Sequence, residues 1–134
     1  MALRIAAAQL NQTVGDFDGN AQRIVQAARD AAERAVSVLL TPELSLSGYP
    51  PEDLLLRGAF YDKCNAALAW IAEQTAELDM HLLVGMPVRR DGLRYNAAVL
   101  LHRGAQIGEY FKHDLPNYDV FDEDRYFEPS NRPL

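Results

Sequence analysis

The amino-acid sequence predicts an α/β fold around a mixed sheet, and three observations carry that expectation. Apolar runs of strand length alternate with two stretches of helical periodicity up to Val88; a hairpin signal at Asp91-Gly92 then separates further apolar runs; and a second turn signal stands at Gly104. Strands joined through helices favour parallel pairing, whereas strands joined by tight turns run antiparallel, so both ladders are expected in one sheet. A layer of helices on one sheet face is the minimum architecture.

Residues 3–10, LRIAAAQL, read as a short buried strand, and the polar, glycine-containing stretch 11–20 as a loop whose last residue, Asn20, caps the helix after it. From Ala21 to Ala35, Ile24, Ala28, Ala31 and Ala35 recur at helical spacing beside Val25 and Ala32, a face small enough to lie close on a sheet. Val36 to Leu40 is a second buried strand, ending at Thr41-Pro42-Glu43 because proline has no N–H for a ladder. Pro50-Pro51-Glu52-Asp53 suits a helix start, with proline tolerated in the first turn and acids favoured by the dipole; a short helix then runs through Leu56.

Between Ala59 and Leu78, Phe60, Cys64, Ala67, Ile71, Thr75 and Leu78 step by three or four residues, which marks the second main helix. Residues 81–88, HLLVGMPV, form a near-continuous apolar strand, 89–94 turn, 95–101 return, and 106–111 make the last strand. The remainder is irregular, acidic and aromatic. No internal repeat interrupts this order.

A chain of 134 residues suits one domain and can bury about 68% of its unfolded surface. Its formal charge of −6, with Lys and Arg scattered, disfavours nucleic-acid binding. The opening MALRIAAAQLNQ is too short and polar for a signal peptide or membrane span, so the expectation is a cytoplasmic protein without membrane association. Cys64 is the only cysteine, which excludes an internal disulfide, and one Cys with three scattered His leaves no zinc-type cluster.

Two residues stand out as chemistry. Glu43 comes directly after a strand, where a carboxylate can act as a general base, although an exposed loop acid is the plainer reading. Lys112 closes the last strand, where an ammonium can hold a developing oxyanion; a solvated strand-end lysine is the alternative. Cys64 lies on the apolar stripe of a helix, where a free thiol behaves as a small buried hydrophobe rather than a nucleophile. Asp114, Asp119, Asp122, Glu123 and Asp124 lack the spacing of a calcium loop and read as a solvated acidic loop, so no metal site is expected. Gly15 and Gly19 lack the order of a dinucleotide-binding loop.

PELSLSGY with YFKHDLP after it resembles the nitrilase, or carbon-nitrogen hydrolase, superfamily, whose triad in chain order is Glu, Lys and Cys. GYPPEDLLL and KHDLPNYDVFDEDRYFEP resemble more narrowly the glutaminase domain of glutamine-dependent NAD synthetases, from LRIAAAQLNQTVGDFDGN onward. The resemblance implies an αββα sandwich, of which residues 1–134 are expected to be the N-terminal half of one glutaminase domain, with the rest of it and the synthetase domain absent. It gives Glu43 the role of base and Lys112 that of oxyanion holder, and it places Tyr49 and Tyr118 in the glutamine pocket.

In the family the nucleophilic cysteine lies downstream of the lysine, and no cysteine comes after Lys112 here. The expectation is a chain inactive by itself, without a cofactor of its own. The complete enzyme is expected to use ATP and Mg, with glutamine and deamido-NAD as partners. Half a sandwich exposes apolar sheet, so a homo-oligomer is expected. A nitrilase-like amidase without ammonia transfer, and a non-catalytic scaffold fragment, stand as alternatives.

Overall fold

The computed structural model describes residues 2–133. In chain order they form β1 (Ile5–Ala7), α1 (Phe17–Glu33), β2 (Val38–Leu40), a 3-10 helix (Glu52–Leu56), α2 (Gly58–Gln74), β3 (His81–Arg90), β4 (Leu93–His102), β5 (Ala105–Phe111) and a second 3-10 helix (Glu123–Arg125). The strands lie in one sheet in the order β1-β2-β3-β4-β5. The helix-linked pairs β1/β2 and β2/β3 are parallel, and the turn-linked pairs β3/β4 and β4/β5 are antiparallel. Asp91-Gly92 and Arg103-Gly104 all have positive φ, the backbone a tight hairpin needs to match strand twist.

Helices α1 and α2 pack on each other and on one sheet face, where Leu39, Leu82, Val84, Met86, Val99 and Leu101 are buried with Ile24, Ala28, Cys64 and Ile71. On the other face Leu40 and Tyr110 stand exposed, and Ile5 is 58% exposed. This corrects the reading of residues 3–10 as a buried strand: only Ile5–Ala7 pair, at an edge, and nothing among the described residues covers their outer face.

The first helix also begins earlier than its periodicity suggests. Gly15 turns the chain with φ 78°, and Asp16 accepts a hydrogen bond from the Gly19 N–H at 3.0 Å, capping a helix that starts at Phe17. Asn20 is therefore inside α1 and 0% exposed. Its Oδ1 accepts from the Thr13 N–H at 2.9 Å, while its Nδ2 donates to the carbonyls of Thr13 at 2.7 Å and Leu46 at 3.1 Å. An amide carries both the donor and the acceptor needed to tie two loops together. Helix α2 stops at Gln74, short of Leu78, where Thr75 Oγ1 donates back to the Ile71 carbonyl at 2.8 Å. Among the described residues no helix is long and apolar enough to cross a membrane.

Candidate active site

The site is built where β2 and β5 end, beside the middle of the longer β3/β4 hairpin. Beyond Leu40 the chain does not leave the sheet but crosses the middle of β3 at Leu83 to Gly85. Thr41 N–H donates to the Leu83 carbonyl at 3.0 Å, Gly85 N–H donates to Thr41 Oγ1 at 3.0 Å, and Leu46 N–H donates to the Gly85 carbonyl at 3.0 Å. This crossing requires Gly85. A Cβ there would lie 2.2 Å from the Pro42 carbonyl oxygen and 2.8 Å from the Leu44 nitrogen, closer than any packing allows. Leu44 adopts φ 50°, a left-handed conformation unfavourable for a branched side chain, and its complete burial holds it there.

The turn thereby carries Glu43 over β3 to β4. Asn96, a polar residue inside the apolar run of β4 and 4% exposed, donates from Nδ2 to Glu43 Oε1 at 2.6 Å. Lys112, one residue past β5, keeps the β4/β5 ladder going with a hydrogen bond from its N–H to the Asn96 carbonyl at 2.8 Å. Its Nζ reaches the same Glu43 Oε1 at 2.6 Å. Glu43 and Lys112, 69 residues apart in sequence, are thus in direct contact.

Lys112 has a second partner. Its Nζ lies 3.1 Å and 3.2 Å from the two carboxylate oxygens of Glu123, which is only 7% exposed. The reading of 114–124 as a solvated acidic loop fails at this residue, because Phe121 and Phe127 flank it and Phe127 is anchored in the core. The segment is pinned to β4 by Arg94, whose Nε donates to the Tyr126 carbonyl at 2.7 Å and whose own carbonyl accepts from the Glu128 N–H at 2.7 Å.

The packing sets the electrostatics. Burial lowers the pKa of Lys112, but the hydrogen bonds and charges of Glu43 and Glu123 outweigh it and the net shift is upward. The side chain stays an ammonium and is suited to stabilise negative charge on oxygen rather than to act as a base. Burial pushes Glu123 above its ordinary range, against the pull of Lys112 and with help from Glu43. The Tyr49 hydroxyl is also pushed up, first by burial and then by the carboxylates of Glu123 and Glu43.

Tyr49 and Glu123 line a cleft of about 450 Å³ with Asp53, Phe121, Arg125 and Tyr126. Tyr118 stands outside it, 65% exposed, with its ring edge-on to Phe121 at 5.6 Å. A second depression of about 220 Å³ opens on the uncovered sheet face and is lined by Leu40, Glu43, Gly85, Asn96, Tyr110 and Lys112. Cys64 is fully buried between α2 and the sheet, and burial pushes its thiol up to about 12, so it offers no thiolate. Among the described residues no group of His, Cys, Asp and Glu could hold a metal ion.

A carbon-nitrogen hydrolase family model matches residues 4–134. The chain belongs to the carbon-nitrogen hydrolase family. It is 46% identical over 132 residues to a glutamine-dependent NAD(+) synthetase of Aquifex aeolicus, a match over 98% of this chain and 23% of that protein. The crystal structure of a glutamine-dependent NAD(+) synthetase from Cytophaga hutchinsonii matches with a TM-score of 0.92 at 32% identity, over 98% of this chain and 22% of that one. A variant of an amidase from Nesterenkonia sp. AN1, solved with acrylamide added to its active-site cysteine, matches with a TM-score of 0.81 at 26% identity. There the match covers 98% of this chain and 51% of the amidase. The chain thus spans under a quarter of the synthetases' length and about half of the amidase's.

Within this carbon-nitrogen hydrolase chain, sequence reasoning singles out Glu43, Lys112 and Tyr49, which the fold gathers, and Tyr118, which it leaves at the surface. It passes over Asn96 and Gly85 and assigns Glu123 to solvent. The signals exist: an amide inside YNAAVLL, a glycine inside HLLVGMPV, and a carboxylate between phenylalanines. Only the packing says what each one faces.

Proposed function

We propose that this chain supplies the base and the oxyanion-holding cation of a glutamine amide hydrolase. In the complete protein the ammonia released serves ATP-dependent amidation of deamido-NAD to NAD, a step that uses ATP and Mg bound outside these residues. The observation that carries this reading is the Lys112 ammonium held 2.6 Å from Glu43 and 3.1 Å from Glu123 beside an open cleft. Its support from relatives is that the proteins sharing nearly the whole chain are glutamine-dependent NAD(+) synthetases by name.

The reaction runs through a cysteine thiol contributed from outside residues 1–134. Glu43 takes the S–H proton, the sulfur attacks the amide carbon, and Lys112 holds the charge that develops on the carbonyl oxygen. Glu43 returns the proton to the nitrogen as the C–N bond breaks, releasing ammonia. A water molecule, deprotonated by Glu43, then cleaves the thioester. Tyr49, beside Glu123, and Tyr118, through the contact of its ring with Phe121, are assigned to the rim that receives glutamine; Tyr49→Phe and Tyr118→Ala should raise KM for glutamine.

The test is steady-state glutamine hydrolysis by the complete protein. Glu43→Gln and Lys112→Met should each abolish turnover without unfolding the protein, and full activity in either would overturn the reading. The 134-residue chain alone should be inactive; turnover by it that disappears on Cys64→Ser would overturn that part. With its second sheet face open, the isolated chain should also self-associate. Light scattering showing a monomer well above micromolar concentration would count against this.

A second reading, hydrolysis of a small amide without ammonia transfer, draws on the match over half of the Nesterenkonia amidase. Amide-labelled glutamine separates the two. Label recovered in NAD supports the first, and label recovered only as free ammonia supports the second.

A further inference from the structure

Glu43 offers two carboxylate oxygens, and the structure treats them differently. Oε1 accepts from Asn96 Nδ2 at 2.6 Å and from Lys112 Nζ at 2.6 Å. Among the described residues Oε2 accepts no hydrogen bond, so both of the carboxylate's hydrogen bonds fall on one oxygen. Building on the hydrolase reading, we propose that Asn96 is the positioning residue of the base. With Lys112 it occupies Oε1 and leaves Oε2 as the atom that takes the proton of the attacking thiol.

The geometry of Asn96 fits this role. At 4% exposure it has little freedom to turn, and it sits on β4 between the two groups it joins. Its side chain holds the Glu43 carboxylate while its main-chain carbonyl holds the Lys112 N–H at 2.8 Å, so one residue sets the spacing of base and cation. A residue chosen only to fill this strand would be apolar like its neighbours Ala97, Ala98 and Val99. The amide is also the right chemistry: a donor that carries no charge orients a carboxylate without competing with the ammonium. In the proton transfer the S–H bond breaks, its electron pair stays on sulfur, and an O–H bond forms at Oε2. Oε1 keeps both hydrogen bonds throughout.

Asn96→Asp is the deciding variant, because it is nearly isosteric and replaces the donor by an acceptor. The other charged or titratable groups facing Glu43 are Lys112 from the end of β5, Glu123 from the second 3-10 helix and Tyr49 from the loop after the turn. None is altered by the substitution. In the complete protein, Asn96→Asp and Asn96→Ala should lower kcat by up to about 100-fold with KM within about threefold of the parent, as expected when a catalytic group is displaced from its working geometry. Asn96→Asp should also move the acidic limb of the kcat/KM profile to higher pH, since a second carboxylate then faces the base.

Unchanged kcat and an unchanged acidic limb in folded Asn96→Asp would overturn the proposal. If Asn96→Ala fails to fold, Asn96→Asp and Asn96→Ser carry the same test. A parent protein inactive on glutamine but active on a small amide would defeat the glutamine reading alone. The role of Asn96 would then be read on that amide.

Discussion

Glu123 brings its carboxylate back to within 3.1 Å of the Lys112 ammonium, 11 residues earlier in the chain, and is the more deeply buried of the two acids on that ammonium. Glu43 is the more solvated partner. Glu123 is fixed by the fold and orients the cation.

Glu123→Gln in the complete protein keeps the shape and removes the charge that aligns Lys112. Glutamine turnover should fall by about 10- to 100-fold in kcat with little change in KM, as for loss of a group that orients an oxyanion-stabilising donor. Steady-state kinetics check this. A change confined to KM would place Glu123 in substrate binding instead.

Gly85→Ala should disturb the site through the backbone. The added methyl meets the Pro42 carbonyl at 2.2 Å and the Leu44 nitrogen at 2.8 Å, so the turn carrying Glu43 must move away from β3. We expect a loss of about 1–3 kcal/mol in denaturant unfolding, the usual cost of overpacking, together with loss of turnover. Gly108→Ala is the control, because its nearest neighbour, the Leu100 Cβ, is 4.0 Å away and accommodates a methyl.

Asn20→Ala should cost about 2–4 kcal/mol, because it strands the backbone groups of Thr13 and the Leu46 carbonyl without their partner. Urea melts of the variant beside Gln26→Ala, which loses only an exposed side-chain contact with Asp30, separate this from a general helix effect. Equal midpoints would contradict the buried latch.

Alkaline pH should destabilise the chain through two buried acids. Burial raises the Cys64 thiol from 9.0 to about 12 and the Tyr61 hydroxyl from 10.0 to about 12, the latter donating to the Leu55 carbonyl at 2.7 Å. In that window the unfolded chain gives up protons that the folded chain keeps. Stability therefore falls as pH rises from about 9 toward 12. Urea midpoints at about pH 8, 9.5 and 10.5 should decline, and Cys64→Ala and Tyr61→Phe should each flatten the decline.

Element order and pairing sense are legible in the sequence because they rest on local signals. Helical spacing at Ile24, Ala28 and Ala31, proline at the exit of β2, and Asp91-Gly92 between two apolar runs each say what the neighbouring backbone does. The start of α1 is misplaced by periodicity because the residue read as its cap is used in a tertiary contact. Asp16 and Asn20 are both good caps, and sequence alone does not show that Asn20 is wanted elsewhere, by Thr13 and Leu46. The burial of Ile5 is misjudged because an apolar run predicts a strand without saying which faces are covered.

For the site, the amino-acid sequence alone determined the candidates, Glu43 and Lys112 at strand ends, since strand termini and residue chemistry are properties of short stretches. Tertiary structure decided the rest: that Gly85 lets a turn cross β3, that Asn96 and Glu123 join the pair, that Tyr118 faces solvent and that Cys64 is sealed in the core. Hydrogen-bond geometry and desolvation depend on atoms brought together from far apart in the chain. A carboxylate between two phenylalanines becomes a partner for Lys112 only when Arg94 pins its segment across β4.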